Sequence, residues 1–203
     1  MAEEKKDPGL RVNLGSGMNP IRHPGWVNVD KYDLGKPDVV HNLEVFPWPF
    51  EGNSVDEIFA RHILEHLGQD TETYLKVWQE IYRVMKHGAF VTLAVPHVRC
   101  DDFDNDPTHV RKVTPNSLAL FDQTLNTKWA EMNAANTPLG LYLGVNFRLL
   151  DVSYVLHPSF RKKYERVDEE TLERLATKEG EFLNNVYGEV RMVLVAVKEQ
   201  GHG

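Results

Sequence analysis

The chain has 203 residues, 41% hydrophobic and 26% charged, with a formal net charge of −7. That length suits one well-buried domain, and the balance is that of a folded globular protein rather than a disordered one. The negative charge repels phosphate backbones, so nucleic-acid binding is not expected; no apolar run approaches the ~20 residues needed to cross a bilayer, and the single cysteine, Cys100, excludes an internal disulfide or a thiolate metal cluster.

Residues 1–9 are charged and lack an apolar signal core, so they read as a flexible tail ahead of a single domain at 10–203, with the cytoplasm as the expected location. The domain opens on Val12-Asn13-Leu14-Gly15-Ser16-Gly17, a strand-like run that stops in two glycines. Glycines there permit sharp reversal and let a ligand approach backbone amides, although an ordinary strand-ending turn has the same look. From Met18 to Gly25, two prolines leave no room for a long helix, so the first crossover is short. Trp26 to Asp30 alternates apolar and polar residues as a strand does and ends on a carboxylate, at the sheet edge where α/β proteins bind ligands. A third strand is expected at 38–43, followed by Pro47-Trp48-Pro49-Phe50, a rigid apolar loop that either walls a pocket or caps the sheet edge.

A fourth strand at 55–60 leads into Arg61-His62-Ile63-Leu64-Glu65-His66-Leu67. Between 71 and 86, Tyr74, Leu75, Trp78, Ile81, Tyr82 and Met85 recur every three or four residues, the spacing of one buried helical face, and His87-Gly88 reads as the helix stop. A fifth strand at 89–96 is apolar enough to be buried on both faces. Alternating strands and helices imply a parallel sheet. The polar loop at 97–109 is rich in carboxylates and histidine, as substrate-contacting loops are. Short helices are expected at 116–121, after Thr114-Pro115, and at 129–135. A sixth strand at 147–156, a helix at 169–184 burying Leu172, Leu175, Phe182 and Leu183, and a seventh strand at 189–197, too apolar for a sheet edge, complete the chain.

Four segments together resemble a small class I S-adenosylmethionine-dependent methyltransferase, of a type-11-like subset with a compressed first crossover. They are Asn13-Leu-Gly-Ser-Gly17, Gly25-Trp-Val-Asn-Val-Asp30, Asp56 to His66, and Glu80 to Gly88. The resemblance covers about residues 10–120 and more loosely the strands beyond. It implies a Rossmann-like α/β fold: a seven-stranded, mostly parallel sheet with an antiparallel last strand and helices on both faces. It implies S-adenosyl-L-methionine as cofactor and S-adenosyl-L-homocysteine as product. Gly15 and Gly17 would hold the methionyl part, Asp30 the ribose hydroxyls, Asn42 and Leu43 the adenine, and Arg61 and His62 the methyl side. Asn13, also an expected cofactor contact, stands where the family often has an acidic residue opening the glycine motif, and Asn19 stands where its third glycine falls. The implied reaction is methyl transfer to a small-molecule acceptor, contacted by segments near 97–111 and 121–147.

An electrophilic sulfonium needs little beyond an acceptor held in line, sometimes with a base. His97, His62 and His109 are the candidate bases, His97 first because it directly follows the fifth strand. No metal is expected. His62-Ile-Leu-Glu65-His66 matches an inverted zinc-peptidase pattern, but it follows a strand inside a β-α-β series. A divalent ion among His97, Asp101, Asp102, Asp106 and His109 matches no defined spacing. A dinucleotide dehydrogenase is disfavoured by the incomplete glycine run. A catalytically silent cofactor-binding module remains the alternative of a different class.

Overall fold

The computed structural model describes residues 9–198. The expected tail lies, except for Gly9, outside the described residues. The strands are β1 (Leu10–Leu14), β2 (Trp26–Asp30), β3 (Val39–Val40), β4 (Val55–Arg61), β5 (Met85–Pro96), β6 (Phe147–Leu156) and β7 (Tyr187–Ala196). They form one sheet in the order β3-β2-β1-β4-β5-β7-β6. β1 runs parallel to β2 and β4, β2 to β3, and β4 to β5, while β7 is antiparallel to both β5 and β6. The mostly parallel sheet with an antiparallel last strand is therefore as expected, and β7 is interior, as its apolar run requires.

Helix α1 (Thr71–Val84) begins where Asp70 accepts a hydrogen bond from the Thr73 amide. It buries Tyr74, Val77, Trp78 and Ile81 against the sheet residues Val12, Leu14, Ile58, Val91 and Leu93. Trp78 stacks on Phe121 at 5.0 Å and meets the edge of Phe147 at 5.3 Å, which joins the C-terminal half of the chain to the same core. Glu80 and Arg83 on α1 hold the Pro47-to-Phe50 loop. The Trp48 amide donates to Glu80, the indole nitrogen donates to the Leu43 carbonyl, and Arg83 donates to the carbonyls of Trp48 and Phe50. With Trp48 buried in this way, the loop caps the core.

Several boundaries differ from the sequence reading. The helix expected to run to Lys86 ends at Val84, and Gly88 is not its stop. Met85 starts β5, and Gly88, at φ 75°, sits inside that strand where two residues of β4 span five of β5. Met85 is buried in either state, so its helical phase was misleading. The third strand shrinks to two residues. The helix expected at 129–135 is α4 (Gln123–Glu131), started by Asp122 accepting from the Leu125 amide. The helix expected at 169–184 is α7 (Glu169–Gly180). It buries Leu172 and Ala176, while Phe182 and Leu183 lie beyond its end and are 78% and 46% exposed. The remaining helices are α2 (Asp101–Asn105) in the expected polar loop, α3 (Pro115–Ala119) behind a Thr114–Ser117 capping box, α5 (Leu139–Leu143) and α6 (Pro158–Lys163). No helix among the described residues is long and apolar enough to cross a membrane.

Candidate active site

β1 delivers the chain into the glycine turn, where Gly15 and Gly17 take φ 63° and 50°, the left-handed region open to glycine at little cost. A Cβ on Gly15 would lie 2.5 Å from the Ile63 side chain, whereas one on Gly17 would meet nothing within 4 Å. Asp30, at the end of β2, ties the turn down by accepting from the Gly17 amide at 2.8 Å and from the Tyr32 amide at 2.9 Å. Gly35 supports it from the other side: a Cβ there would fall 1.7 Å from the Gly17 carbonyl oxygen.

Asn13 has a local explanation. Its buried amide donates to Asn28 Oδ1 at 3.0 Å, and that oxygen also accepts from the Ile21 amide at 2.7 Å. Asn28 Nδ2 in turn donates to the Ile21 carbonyl and to Asp38. A carboxylate at position 13 would bring acceptor against acceptor, so the network that pins the compressed crossover calls for an amide.

Two abutting cavities of about 500 and 460 Å³ share Gly15, Gly17 and His62. The first adds Asn13, Ser16, Phe59 and Arg61, and the second adds Asp30, Asn42, Leu43, His66 and Thr108. All eight residues expected to contact cofactor thus lie on one of these two walls. Ser16, absent from that set, presents a buried hydroxyl oxygen with no partner among the described residues.

His62 stands at the junction of the cavities. Its φ of 51° is strained for a residue with a Cβ, and its amide is held by the Ala94 carbonyl. Nδ1 donates to Glu65 Oε1 at 3.2 Å and Nε2 to Glu189 Oε2 at 2.7 Å. The hydrogen bond to Glu65 holds His62 above its usual imidazole value, with Glu189 adding to the effect against the cost of burial. Burial pushes Glu189 up, but hydrogen bonds from Arg191 and His62 outweigh it and leave the carboxyl below its ordinary range. Glu189 was not anticipated, although a carboxylate opening an otherwise apolar strand is a visible signal.

The other two histidines lie off both walls. His97 packs edge-on against Tyr154 and Tyr187 at 5.8 and 5.6 Å, and its Nδ1 accepts from the Arg99 amide. Burial, with the Arg99 charge, lowers its pKa. His109 packs on Phe103 and His66. His62-Ile-Leu-Glu65-His66 is not helical. His62 is left-handed and only Leu64–His66 form a 3-10 turn, so the two histidines do not share a helix face. The segment 121–147, expected beside the acceptor, ends at the opposite sheet edge. Leu143, Gly144 and Val145 line a separate cavity with Asn53, Arg83 and Lys198, because β6 runs in the direction of β5 and so enters from the edge where β4 begins.

This sheet order, with a glycine turn after β1 and a carboxylate after β2, is the Rossmann-like architecture of class I methyltransferases. Residues 23–93 match the family model described as a methyltransferase domain. The fold is shared with an S-adenosylmethionine-dependent methyltransferase from Archaeoglobus fulgidus, at 17% identity over 93% of this chain and 87% of that one, with a TM-score of 0.59. It is shared also with a variant of 16S rRNA (adenine(1408)-N(1))-methyltransferase from Catenulisporales acidiphilia, solved with its cosubstrate S-adenosylmethionine, at 15% identity over 97% and 89% with a TM-score of 0.52. No curated protein sequence matches the chain. The cofactor of the class is S-adenosyl-L-methionine. The orphaned Ser16 hydroxyl, the open space beside Gly17 and the Asp30 carboxylate fit it.

Proposed function

We propose that the chain moves a methyl group from S-adenosyl-L-methionine to a small-molecule acceptor by in-line displacement, releasing S-adenosyl-L-homocysteine. The observation that carries this reading is the meeting of two cavities at His62, one lined by Asp30, Asn42 and Leu43 and the other by Asn13, Phe59 and Arg61. Asp30 binds the ribose hydroxyls, Gly15 and Gly17 the methionyl part, and Asn42 and Leu43 the adenine. Bound there, the cofactor supplies a methyl already activated by its sulfonium. The protein's task is to align an acceptor and exclude water.

The cavity beside Arg61 holds the acceptor. Where the acceptor must lose a proton, the His62–Glu189 pair is placed to take it, because an acceptor that displaces the 2.7 Å contact frees the Glu189 carboxylate. A small acceptor is favoured by the cavity volume of about 500 Å³ and by a net charge of −7, which opposes RNA.

The test is S-adenosylhomocysteine release measured over a panel of small alcohols, amines, thiols and carbon acids, with ribosomal RNA alongside. Turnover with a small acceptor and none with RNA is expected. Turnover with RNA alone overturns the small-molecule reading.

A further inference from the structure

Glu65, His66 and His109 come together from two parts of the chain. One ligand atom from each lies within 4.8 Å of the other two, and the imidazole centroids are 4.6 Å apart. The junction is fixed by backbone: the amides of Val110 and Arg111 both donate to the Glu65 carbonyl, at 2.8 and 3.0 Å.

Three details distinguish this cluster from a chance gathering of polar groups. Glu65 is 1% exposed, and while Oε1 receives His62, Oε2 is buried with no hydrogen-bond partner among the described residues. A buried carboxylate oxygen left bare is costly and calls for a cation or a donor. The two imidazoles are also oriented by their neighbours. The Thr108 hydroxyl donates to Asp106 Oδ1 at 2.6 Å, so its oxygen is left to accept from His66 Nδ1 at 2.9 Å. His109 Nδ1 lies 2.8 Å from the Phe103 carbonyl, which can only accept. With Nδ1 the donor in each ring, Nε2 is the atom left to offer a lone pair, and the Nδ1 contacts are the outer hydrogen bonds that metal-bound imidazoles make; Asp106 Oδ2 lies 3.9 Å from His109 Nε2.

We propose that Glu65, His66 and His109 bind a single divalent transition-metal ion, with zinc the best match. Two imidazoles and one carboxylate suit zinc better than magnesium or calcium, which take oxygen donors. His62 is no ligand, since both its ring nitrogens are occupied by Glu65 and Glu189. The site is therefore distinct from the inverted peptidase pattern, and it does not depend on the identity of the methyl acceptor. The ion fastens the segment around His109 to the 3-10 turn that walls the second cavity. A three-ligand set leaves a coordination position for water or for an oxygen donor in the cavity that His66 and Thr108 line.

The experiment is equilibrium dialysis of the chelator-stripped full chain against zinc, with the bound metal counted, and the same for His109→Ala and His66→Ala. About one ion per chain is expected, with binding weakened at least tenfold in each variant. Cobalt(II) added to the unaltered protein keeps the question answerable should the variants misfold: a visible ligand-field absorption of low-coordinate cobalt, abolished by zinc, is expected. No stoichiometric zinc, zinc binding indifferent to both substitutions, or a cobalt spectrum of the hydrated ion overturns the site.

Discussion

The Gly17 amide donates to the Asp30 carboxylate at 2.8 Å across the mouth of the second cavity, so one side chain both shapes the glycine turn and faces the position proposed for the cofactor's ribose. Replacing it removes two functions at once. Hydrogen bonds to a charged group contribute about 1.5–3 kcal/mol, so Asp30→Ala is expected to weaken S-adenosylhomocysteine binding roughly ten- to a hundredfold by calorimetry. Asp30→Asn, which keeps an acceptor oxygen, should lose less. An unchanged dissociation constant in Asp30→Ala refutes the ribose assignment.

Gly35 is predicted to matter as much as the glycines of the turn itself. Its missing Cβ is what lets the Gly17 carbonyl approach, and a methyl there would stand 1.7 Å from that oxygen. Overpacking of this kind costs about 1–3 kcal/mol, so Gly35→Ala should lower the Tm by roughly 2–10 °C and weaken cofactor binding more than tenfold. Calorimetric melting with and without S-adenosylhomocysteine reads both effects.

His97 gives a stability effect of definite sign. Burial holds its folded pKa below the ordinary 6.5, so the fold prefers the neutral ring. Above 6.5 neither state carries the proton and this contribution is fully present; as pH falls through that value the unfolded chain takes up a proton that the folded chain resists, and stability is lost. The urea midpoint should therefore fall less in His97→Gln than in the parent between about pH 7.5 and about pH 5.5. A larger fall in the variant contradicts the assignment.

Cys100 should be chemically quiet. Burial pushes its thiol up to about 11, against about 8.5 for a free cysteine. At about pH 8 its alkylation by iodoacetamide is expected to be roughly a hundredfold or more slower than that of a free cysteine, since the thiolate is the nucleophile. Mass spectrometry of a timed reaction measures this, and a rate near that of glutathione disproves it.

The fold was legible wherever one periodicity ruled a segment. Trp26 to Asp30 was placed to the residue because alternation and the flanking turn residues agree at both ends, and Phe147 to Leu156 was placed to the residue although irregularities in its pairing with β7 break its alternation. It misled where a residue is buried in either conformation, as Met85 is, and where apolar residues follow a helix without being buried by it, as Phe182 and Leu183 do. The residues lining the two abutting cavities were legible because they sit at strand ends, which motifs mark. His62 and Glu189 are 127 residues apart and meet only because β7 crosses back between β5 and β6. Nor could Gly35 be singled out, since what it requires is a distant carbonyl rather than a local turn.

The interior position of β7 orders events in the making of the protein. Among the described residues β6 pairs with β7 and no other strand, so when residues 147–156 leave the ribosome their native partner has not yet been made. β5, too, keeps one side open until Tyr187 to Ala196 emerge. A nascent chain halted between α6 and α7 therefore exposes the bare flank of an apolar strand beside a second strand that has nothing to pair with. That interval is when strand-to-strand association between neighbouring nascent chains has its opening.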